Sequence, residues 1–308
     1  MFLPVKTISI IGAGAMGASY MSLFYEMDKD CVSVVAKGER YKRLKKQGLI
    51  INEKQYFPKL IRPDDKTRPS DLIIVAVKHH NLPEAIRDIS NIVGANTLIM
   101  TVMNGIESEE QIAKEYGKEK VLYAIVVGIS AVKEGNRITF SPMGKFFFGE
   151  EKNKLISDGV KAVQSLFDKV GIVYETPEDM IRTLWWKFMI NVGINQVSAV
   201  LGATYAVFQK SKEASELMET AMREVISIAK AAGIHLYDKD IDEWYAFLSR
   251  QFPEGKTSML QDFEAKRKTE VEMFAGKVIE LGKKYKIPTP INSTLFKIIR
   301  AIECKWNL

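Results

Sequence analysis

A chain of 308 residues is longer than a single hydrophobic core usually supports, so two domains are expected. Its residues are 46% hydrophobic and 27% charged, which is typical of a globular protein and excludes a largely disordered chain. Lys and Arg exceed Asp and Glu by 44 to 38. A phosphate-bearing small molecule explains this modest excess as well as nucleic acid does, and we expect no nucleic-acid partner.

Cysteine and histidine usage argues against metal and disulfide chemistry. Cys31 and Cys304 form neither a disulfide framework nor a ligand cluster, and the three histidines lack the spacing of a zinc site. We therefore expect no metal and a reducing, cytoplasmic location. No run approaches the roughly 18 apolar residues that cross a bilayer, so no membrane partner is expected.

In the first half of the chain, Val- and Ile-rich runs alternate with helical patterns up to about residue 150. Continuous apolar runs indicate strands covered on both faces, which is typical of a parallel α/β sheet. Strand-like runs over 121–150, around EGN and PMG turns, predict an antiparallel extension of that sheet. A helix over 154–168 and a last strand, IVYET, complete this half.

The second half has a different periodicity. From about residue 178, nearly every window repeats apolar residues at helical spacing, as in ELMETAMREVISIAKAAG. The sequence therefore predicts an α/β domain over residues 1–177 and an all-α domain over residues 178–308.

A glycine motif lies near the start of the chain, in the residues IGAGAMG. Gly12, Gly14 and Gly17 follow the order G-x-G-x-x-G, directly after an apolar strand and at the start of a helix. The glycines allow a tight turn, close approach of a pyrophosphate and close helix packing, while free N–H groups at the helix start bind negative charge. A purely structural turn is the alternative. We predict a Rossmann-type dinucleotide site formed by Gly12, Ala13, Gly14, Ala15, Met16 and Gly17.

The end of the second strand indicates which dinucleotide binds. An NAD site usually has an acidic residue about 20 positions beyond the glycines, where it bonds the ribose 2′-hydroxyl. Counting from Gly17 leads to Lys37, with Arg40 shortly after it. A cation there favours a 2′-phosphate, and therefore NADP(H), although Glu39 lies between the two basic residues.

An apolar helix, LWWKFMINVGINQ, carries polar residues on one stripe. At 100° per residue, Lys187, Asn191 and Asn195 lie about 6 Å apart along one face. Burying an unpartnered ammonium costs several kcal/mol, so the stripe is expected to face a polar cleft, a carboxylate or a ligand. The alternative is a structural network in which the asparagines satisfy each other and the lysine extends to water. In the functional interpretation, Lys187 is a general acid for a carbonyl that receives hydride.

The segment KTSMLQDFEAKRKTEVEMF predicts two short helices. Ser258 with Gln261 and Thr269 with Glu272 each match a capping box, so we expect a break near residue 268. On one straight helix Ser258 and Glu270 would be about 18 Å apart, whereas a break allows both to reach one small ligand.

These motifs together resemble the ketopantoate reductase family. They follow one order along nearly the whole chain: IGAGAMG, VAKGE, VAVK, NG, LWWKFMINVGIN, SMLQD, KTEVE and IPTPINSTLF. The resemblance implies an NADPH-dependent enzyme of pantothenate synthesis. It also implies a Rossmann-type domain, a helical domain of the 6-phosphogluconate dehydrogenase C-terminal type, and an active site in the cleft between them.

The resemblance implies roles for single residues. Lys187 matches the proton donor of the family, and Asn104 matches a residue that contacts both cofactor and substrate. The other substrate-binding positions that it implies are Asn191, Asn195 and Ser258. The other cofactor contacts that it implies are Lys37, Lys78, Ala131 and Glu270.

Three positions depart from the family pattern. Lys37 replaces a frequent arginine and keeps the charge without the bidentate fork. Met103 replaces a polar residue, and Tyr205 lies near a position where some members have another substrate-binding asparagine. Substrate identity is therefore less firmly indicated than reaction type.

The expected reaction is reduction of 2-dehydropantoate to (R)-pantoate by NADPH, with Lys187 protonating the alkoxide. Two alternatives stay open: a reductase of another branched or bulkier 2-oxo acid, and a non-catalytic NADP(H)-binding regulator. A regulator needs the glycine loop but no proton donor, and the retained Lys187 argues against it. A helical second domain commonly offers an apolar dimer face, so a homodimer is an open expectation.

Overall fold

The computed structural model describes residues 4–306, apart from the side chains of Ser130 and Pro142. The chain divides into two compact units, the first ending at Thr183 and the second beginning at Leu184. The predicted boundary at residue 177 falls just before the helix that starts at Met180, and the observed division falls inside the first turns of that helix.

The first unit is built on one sheet. Within residues 4–306 ten strands are found, all in this unit: β1 (Ile8–Ile11), β2 (Val32–Val35), β3 (Leu49–Ile51), β4 (Lys54–Tyr56), β5 (Lys59–Ile61), β6 (Leu72–Val75), β7 (Leu98–Thr101), β8 (Val121–Glu134), β9 (Arg137–Gly149) and β10 (Tyr174–Glu175). The strand order is β4-β3-β9-β8-β7-β6-β1-β2-β5, and β10 pairs with β9.

The central strands run parallel, as their continuous apolar runs predicted. β1 lies between β2 and β6, with Ile8 opposite Val32 on one side and Leu72 on the other. Every residue of these three strands is buried, because helices cover both faces. The helices of this unit are α1 (Ala15–Met27), α2 (Gly38–Gln47), α3 (Leu82–Asp88), α4 (Ser108–Tyr116) and α5 (Asp158–Val170).

An aromatic cluster joins α1, β9 and α5. The ring of Phe146 lies 4.8 Å from that of Tyr20 and 4.9 Å from that of Phe167, measured between centroids. All three side chains are fully buried. Aromatic pairs of this kind contribute about 0.5–1.5 kcal/mol each beyond their buried area. The cluster therefore fixes α1, whose first turn carries the glycine motif, against the sheet.

The antiparallel extension is one long hairpin. β8 and β9 pair from Tyr123 opposite Gly149 to Glu134 opposite Arg137, with a bulge between Ile129 and Ala131. The EGN turn is confirmed, whereas the PMG turn is wrong because β9 continues through it. Gly144 has a φ of +71°, so the glycine accommodates a local irregularity without ending the strand.

The second unit is helical over its described residues. Its helices are α6 (Met180–Leu201, which begins in the first unit), α7 (Tyr205–Lys210), α8 (Lys212–Ala231), α9 (Asp238–Leu248), α10 (Ser258–Glu264), α11 (Lys277–Tyr285) and α12 (Pro290–Lys305). A π-helical turn, Glu272–Gly276, leads into α11. The α/β-then-α order predicted from the two periodicities is confirmed.

A buried polar network ties α6, α8 and α12 together. The Glu224 carboxylate accepts the backbone N–H of Ile291 at 2.8 Å and the Asn292 amide at 2.7 Å. Asn292 in turn accepts a hydrogen bond from Gln196 on α6 at 3.0 Å. Glu224 therefore satisfies the free N–H groups at the start of α12, where negative charge is also favoured.

Neither predicted capping box forms, although the predicted break does. Thr257, one residue earlier than expected, caps α10 by accepting the Leu260 N–H at 3.2 Å. Thr269 donates its N–H and its hydroxyl to Glu303 on α12, both at 2.7 Å, so Glu303 takes the acceptor role assigned to Glu272. The chain between α10 and the π-helical turn therefore breaks where the sequence predicted.

Candidate functional site

The glycine motif forms the turn from β1 into α1. A Cβ on Gly12, whose φ is +100°, would lie 2.4 Å from the Ala76 carbonyl oxygen, and one on Gly17 would lie 2.2 Å from the Gly12 oxygen. Gly14 is different, because a Cβ there would meet no atom within 4 Å. Two glycines are thus required by packing, and the third leaves space beside free N–H groups at the helix start, as a pyrophosphate requires.

The other cofactor residues implied for the first unit follow the carboxyl ends of neighbouring strands. Lys37 follows β2, Lys78 follows β6 and Asn104 follows β7, and these strands lie in the continuous order β7-β6-β1-β2. Ligands of open parallel sheets bind at this edge. Ala131 lies on β8 directly after the bulge and is half-buried. Topology therefore gathers Lys37, Lys78 and Asn104 at the edge that the glycine motif occupies.

Lys37 has two carboxylate partners. Its ammonium lies 2.7 Å from Asp88 and 2.7 Å from Glu84. The hydrogen bond to Asp88, followed by the one to Glu84, raises the pKa of Lys37. Its charge is therefore compensated within the chain, which the sequence did not reveal because α3 is far from β2 in sequence.

Lys133 is a residue that the motif analysis missed. Its ammonium donates a 2.7 Å hydrogen bond to the carbonyl of Ala13, inside the glycine loop. Burial, followed by the charges of Arg40 and Arg43, lowers the pKa of Lys133 to about 8. The available signal was its position two residues after Ala131, since side chains two apart on a strand share a face.

In the second unit, α6 presents the predicted polar stripe. Lys187 and Asn191 are half-buried and Asn195 is buried. Asn195 donates to the Asn191 side-chain oxygen at 3.1 Å and accepts the Ser258 hydroxyl at 3.1 Å and the Met259 N–H at 3.4 Å. The structure thus joins Asn191, Asn195 and Ser258 in one hydrogen-bonded chain.

These hydrogen bonds agree in part with the structural alternative, in which the two asparagines satisfy each other. Ser258, however, is exposed at the first turn of α10, so the chain opens to solvent at that end. Glu270 is half-buried in the segment between α10 and the π-helical turn, next to Thr269, which Glu303 holds. The arrangement offers amide and hydroxyl groups that can bind a carboxylate or hydroxyl of a ligand.

Residues 4–306 contain neither a cluster arranged to hold a metal ion nor a helix able to cross a bilayer. No group of three or more His, Cys, Asp and Glu side chains there is arranged to hold a metal ion. In the same residues, no helix combines the length and apolar character needed to cross a bilayer.

Two models of one protein family match most of the chain. The model "Ketopantoate reductase PanE/ApbA" matches residues 8–153, and "Ketopantoate reductase PanE/ApbA C terminal" matches residues 179–303. The chain belongs to the ketopantoate reductase family. The resemblance stated from its motifs is confirmed, as is the expectation of an oxidoreductase.

Curated relatives match over nearly their whole length. The chain is 28% identical over 305 residues to 2-dehydropantoate 2-reductase of Aquifex aeolicus, with 97% of each chain covered. It is 26% identical over 302 residues to the enzyme of the same name from Pyrococcus horikoshii, with 96% of this chain and 97% of that relative covered.

Solved structures show the same fold. A ketopantoate reductase from Ralstonia eutropha superposes with a TM-score of 0.84 at 20% identity, over 98% of this chain and 100% of that one. D-mandelate dehydrogenase with NADH and anilino(oxo)acetate gives a TM-score of 0.86 at 23% identity, over 98% and 100% of the chains. A dimeric ketopantoate reductase from Staphylococcus aureus gives a TM-score of 0.76 at 22% identity, over 97% of this chain and 99% of that one.

Proposed function

We propose that this protein reduces 2-dehydropantoate to (R)-pantoate with NADPH, in the cytoplasm, as a step of pantothenate biosynthesis. The observation that carries the proposal is the α6 stripe in a ketopantoate reductase family member. A lysine lies on the same helix face as two asparagines, of which Asn195 donates to Asn191 and accepts the Ser258 hydroxyl. A bare dinucleotide-binding regulator has no need for this arrangement.

We assign each site residue a role that its side-chain chemistry allows. A bound nicotinamide cofactor supplies the hydride. The Lys187 ammonium donates a proton to the oxygen that becomes the hydroxyl of the product, a form of help that contributes roughly 10²–10⁴ in rate. Asn104, Asn191, Asn195 and Ser258 bind and orient the substrate.

The first unit would hold the cofactor. The open space at Gly14 and the free N–H groups of α1 suit a pyrophosphate, and Lys78 and Ala131 of the same unit would add contacts. Glu270, which belongs to the second unit, is assigned to the cofactor by the family resemblance. We assign NADPH because basic residues follow β2 where NAD sites usually have an acid. By analogy with the dimeric relative from Staphylococcus aureus, the working assembly is a homodimer.

A second candidate is the reduction of a bulkier 2-oxo acid. Tyr205, near a position where some family members have a substrate-binding asparagine, packs its ring on Gly255, where a Cβ would lie 2.7 Å from it. An aromatic ring there replaces a hydrogen-bonding amide. D-mandelate dehydrogenase, whose fold this chain shares, carries an aromatic ligand in its solved structure.

A substrate panel tests both candidates. Purified protein is assayed for NADPH oxidation with 2-dehydropantoate, other branched 2-oxo acids and an aryl 2-oxo acid, with NADH in parallel. The proposal expects kcat/KM to be highest for 2-dehydropantoate with NADPH. A higher value for the aryl acid would establish the second candidate instead. Tight NADPH binding with no turnover of any acid would leave only the regulator.

A further inference from the structure

A pair of buried hydroxyl groups joins α6 to the start of α10 within the second unit. Ser198 lies one turn beyond Asn195, on the same face of α6 as the polar stripe. Its side-chain oxygen is 2.5 Å from that of Thr257, the N-cap residue of α10. Both side chains are buried, and neither residue is among the substrate or cofactor contacts. The pair therefore connects the stripe to the residue directly before Ser258.

The number of protons gives these hydrogen bonds a single direction. Ser198 donates its only hydroxyl proton to the backbone carbonyl of Asn195 at 3.0 Å. The proton between the two hydroxyl groups therefore comes from Thr257. Thr257 in turn accepts the Leu260 N–H at 3.2 Å. A continuous chain of hydrogen bonds thus runs from the first turn of α10 to the backbone of α6.

The position of α10 depends on contacts with the rest of the unit. It has seven residues, and isolated helices shorter than about 12 residues are marginal in water. A second link to α6 is the Asn195 side chain, which accepts the Ser258 hydroxyl at 3.1 Å and the Met259 N–H at 3.4 Å. Both links end on one turn of α6, so that turn sets where Ser258 lies relative to the stripe.

The two links differ in how a bound substrate would affect them. Asn195 and Ser258 are both assigned to the substrate, so a bound carboxylate or hydroxyl competes for the hydrogen bond between them. The hydrogen bonds of Ser198 and Thr257 use no group assigned to the substrate, and they are shielded from water. Because a buried hydrogen bond is costly to break, this link persists while the other is exchanged.

We propose that Ser198 and Thr257 are positioning residues, which hold Ser258 in place for the 2-oxo acid while its bond to Asn195 is exchanged for the substrate. They act through Ser258 and do not contact the substrate themselves. This inference rests on the proposed function and adds to it two residues that had no role assigned.

Steady-state kinetics of Ser198→Ala and Thr257→Val test the inference with the best 2-oxo acid of the substrate panel. KM should rise about three- to tenfold, as loss of one or two neutral hydrogen bonds predicts. Changes in kcat and in the Kd for NADPH should stay below about threefold, since Lys187 and the glycine loop are untouched. Thr257→Ser keeps the hydroxyl and should restore a KM within about twofold of wild type. An unchanged KM in folded Ser198→Ala and Thr257→Val proteins would overturn the inference.

A double-mutant cycle separates positioning from a general loss of stability. In a Ser258→Ala background there is no hydroxyl left to position, so Ser198→Ala should raise KM by less than about twofold further. If Ser198→Ala raised KM as much in that background as in wild type, it would not act through Ser258, and the inference would fail.

Ser22→Ala is the matched control for the loss of a buried serine hydroxyl. Ser22 is buried in α1 and, like Ser198, donates to the carbonyl three residues earlier, that of Ser19, at 2.7 Å. Its KM should equal that of wild type. A rise as large as that in Ser198→Ala would show a nonspecific effect and overturn the inference. Melting temperatures of all variants check folding, and Thr257→Val replaces Ser198→Ala in the cycle if the latter does not fold.

Failure of the proposed reaction can be distinguished from failure of this inference. If no 2-oxo acid is reduced, the affinity for (R)-pantoate is measured by calorimetry in the presence of NADP⁺. A lower affinity in Ser198→Ala, absent in Ser22→Ala, would then support the inference although the reaction fails. Equal affinities in wild type and Ser198→Ala would overturn it. If wild-type protein neither reduces a 2-oxo acid nor binds (R)-pantoate, both fail.

Discussion

At the scale of single residues, a substitution at Gly14 should affect ligand binding without affecting folding. Its φ of −77° suits any residue, and a Cβ on it would meet no protein atom within 4 Å. Gly14→Ala should therefore melt within about 2 °C of wild type, as expected where no core or strained position is touched. Its affinity for NADPH should fall about tenfold or more, since the methyl group occupies the approach of the pyrophosphate.

Gly12→Ala is the contrasting variant. Its Cβ would lie 2.4 Å from a backbone oxygen at a φ of +100°, so we expect a clear loss of stability. Thermal melts and NADPH titrations of both variants make the comparison. Unchanged NADPH affinity in a folded Gly14→Ala protein would contradict the assignment of this loop to the cofactor.

Asn195 serves both stability and substrate binding. Asn195→Ala removes the buried oxygen that accepts the Met259 N–H and the Ser258 hydroxyl. It also removes the amide that donates to Asn191. We expect a loss of about 1–3 kcal/mol in the free energy of unfolding, the usual cost of unsatisfied buried groups. The KM for the 2-oxo acid should rise about tenfold, as loss of about 1.4 kcal/mol of binding implies.

Gln196→Leu is a control on the same helix. Gln196 is fully buried and donates a hydrogen bond to Asn292. It lies about 100° around α6 from Asn195, so it faces away from the polar stripe. It should lower stability and leave KM within about twofold, since surface or structural changes away from a site act only on folding. Urea unfolding and steady-state kinetics compare the two, and a similar rise of KM in both would refute a specific role for Asn195.

The lowered pKa of Lys133 should make the free energy of unfolding depend on pH. Burial and two arginines lower its pKa in the folded protein from an ordinary 10.5 to about 8. Between these values the unfolded chain binds more protons than the folded one, so this group makes the free energy of unfolding rise with pH from about 8 to 10.5. Below pH 8 the folded state carries the full cost of the buried charge.

Lys133→Met removes that cost. The stability of the variant relative to wild type should therefore be greater at pH 7 than at pH 10, when both proteins are unfolded in urea at each pH. A difference that is the same at both pH values would show that the charge of Lys133 is not penalised in the fold.

At the scale of elements, α12 anchors the segment that carries Glu270. Glu303 accepts the Thr269 N–H and hydroxyl and also pairs with Arg300 at 2.8 Å. Glu303→Ala leaves the buried Thr269 N–H unsatisfied, which should cost about 1–3 kcal/mol of unfolding free energy. It should also lower kcat/KM, because the chain next to Glu270 loses its support.

Glu303→Gln distinguishes support from charge. The amide keeps an acceptor for Thr269, so most of kcat/KM should be retained. Glu264→Ala, which removes an exposed carboxylate paired with Lys256, is the control for a change of charge alone. Unfolding and kinetics are measured on all three, and full activity in a folded Glu303→Ala protein would rule out the anchoring role.

The sequence predicted elements better than it predicted their junctions. Periodicity identified the parallel strands and the helices, because burial on both faces or on one stripe leaves a local pattern. The predicted cap of α10 was wrong by one residue, because the adjacent Thr257 accepts the Leu260 N–H. The predicted partner of Thr269 was wrong because Glu303, distant in sequence, takes that role. The PMG turn failed for a related reason: pairing with β8 outweighs local turn propensity.

At the scale of the whole molecule, motif order in the sequence was sufficient to identify the family. Asn191, Asn195 and Ser258 were foreseen as a set of site residues, and the bond between the asparagines was part of the structural alternative, but the bond from Ser258 to Asn195 was not foreseen. The compensation of Lys37 and the contact of Lys133 with the glycine loop were not predicted either, because each joins elements distant in sequence. Side-chain partners across a fold leave no local pattern for a sequence to display.

The proposed reaction draws its cofactor loop from the first unit and its proton donor from the second. The most direct measurement is the kinetics of full-length Lys187→Ala with 2-dehydropantoate and NADPH. We predict a fall in kcat of about 10²–10⁴, the usual contribution of a general acid, with the Kd for NADPH changed by less than about threefold. A kcat equal to that of wild type would contradict the assignment of Lys187 as proton donor.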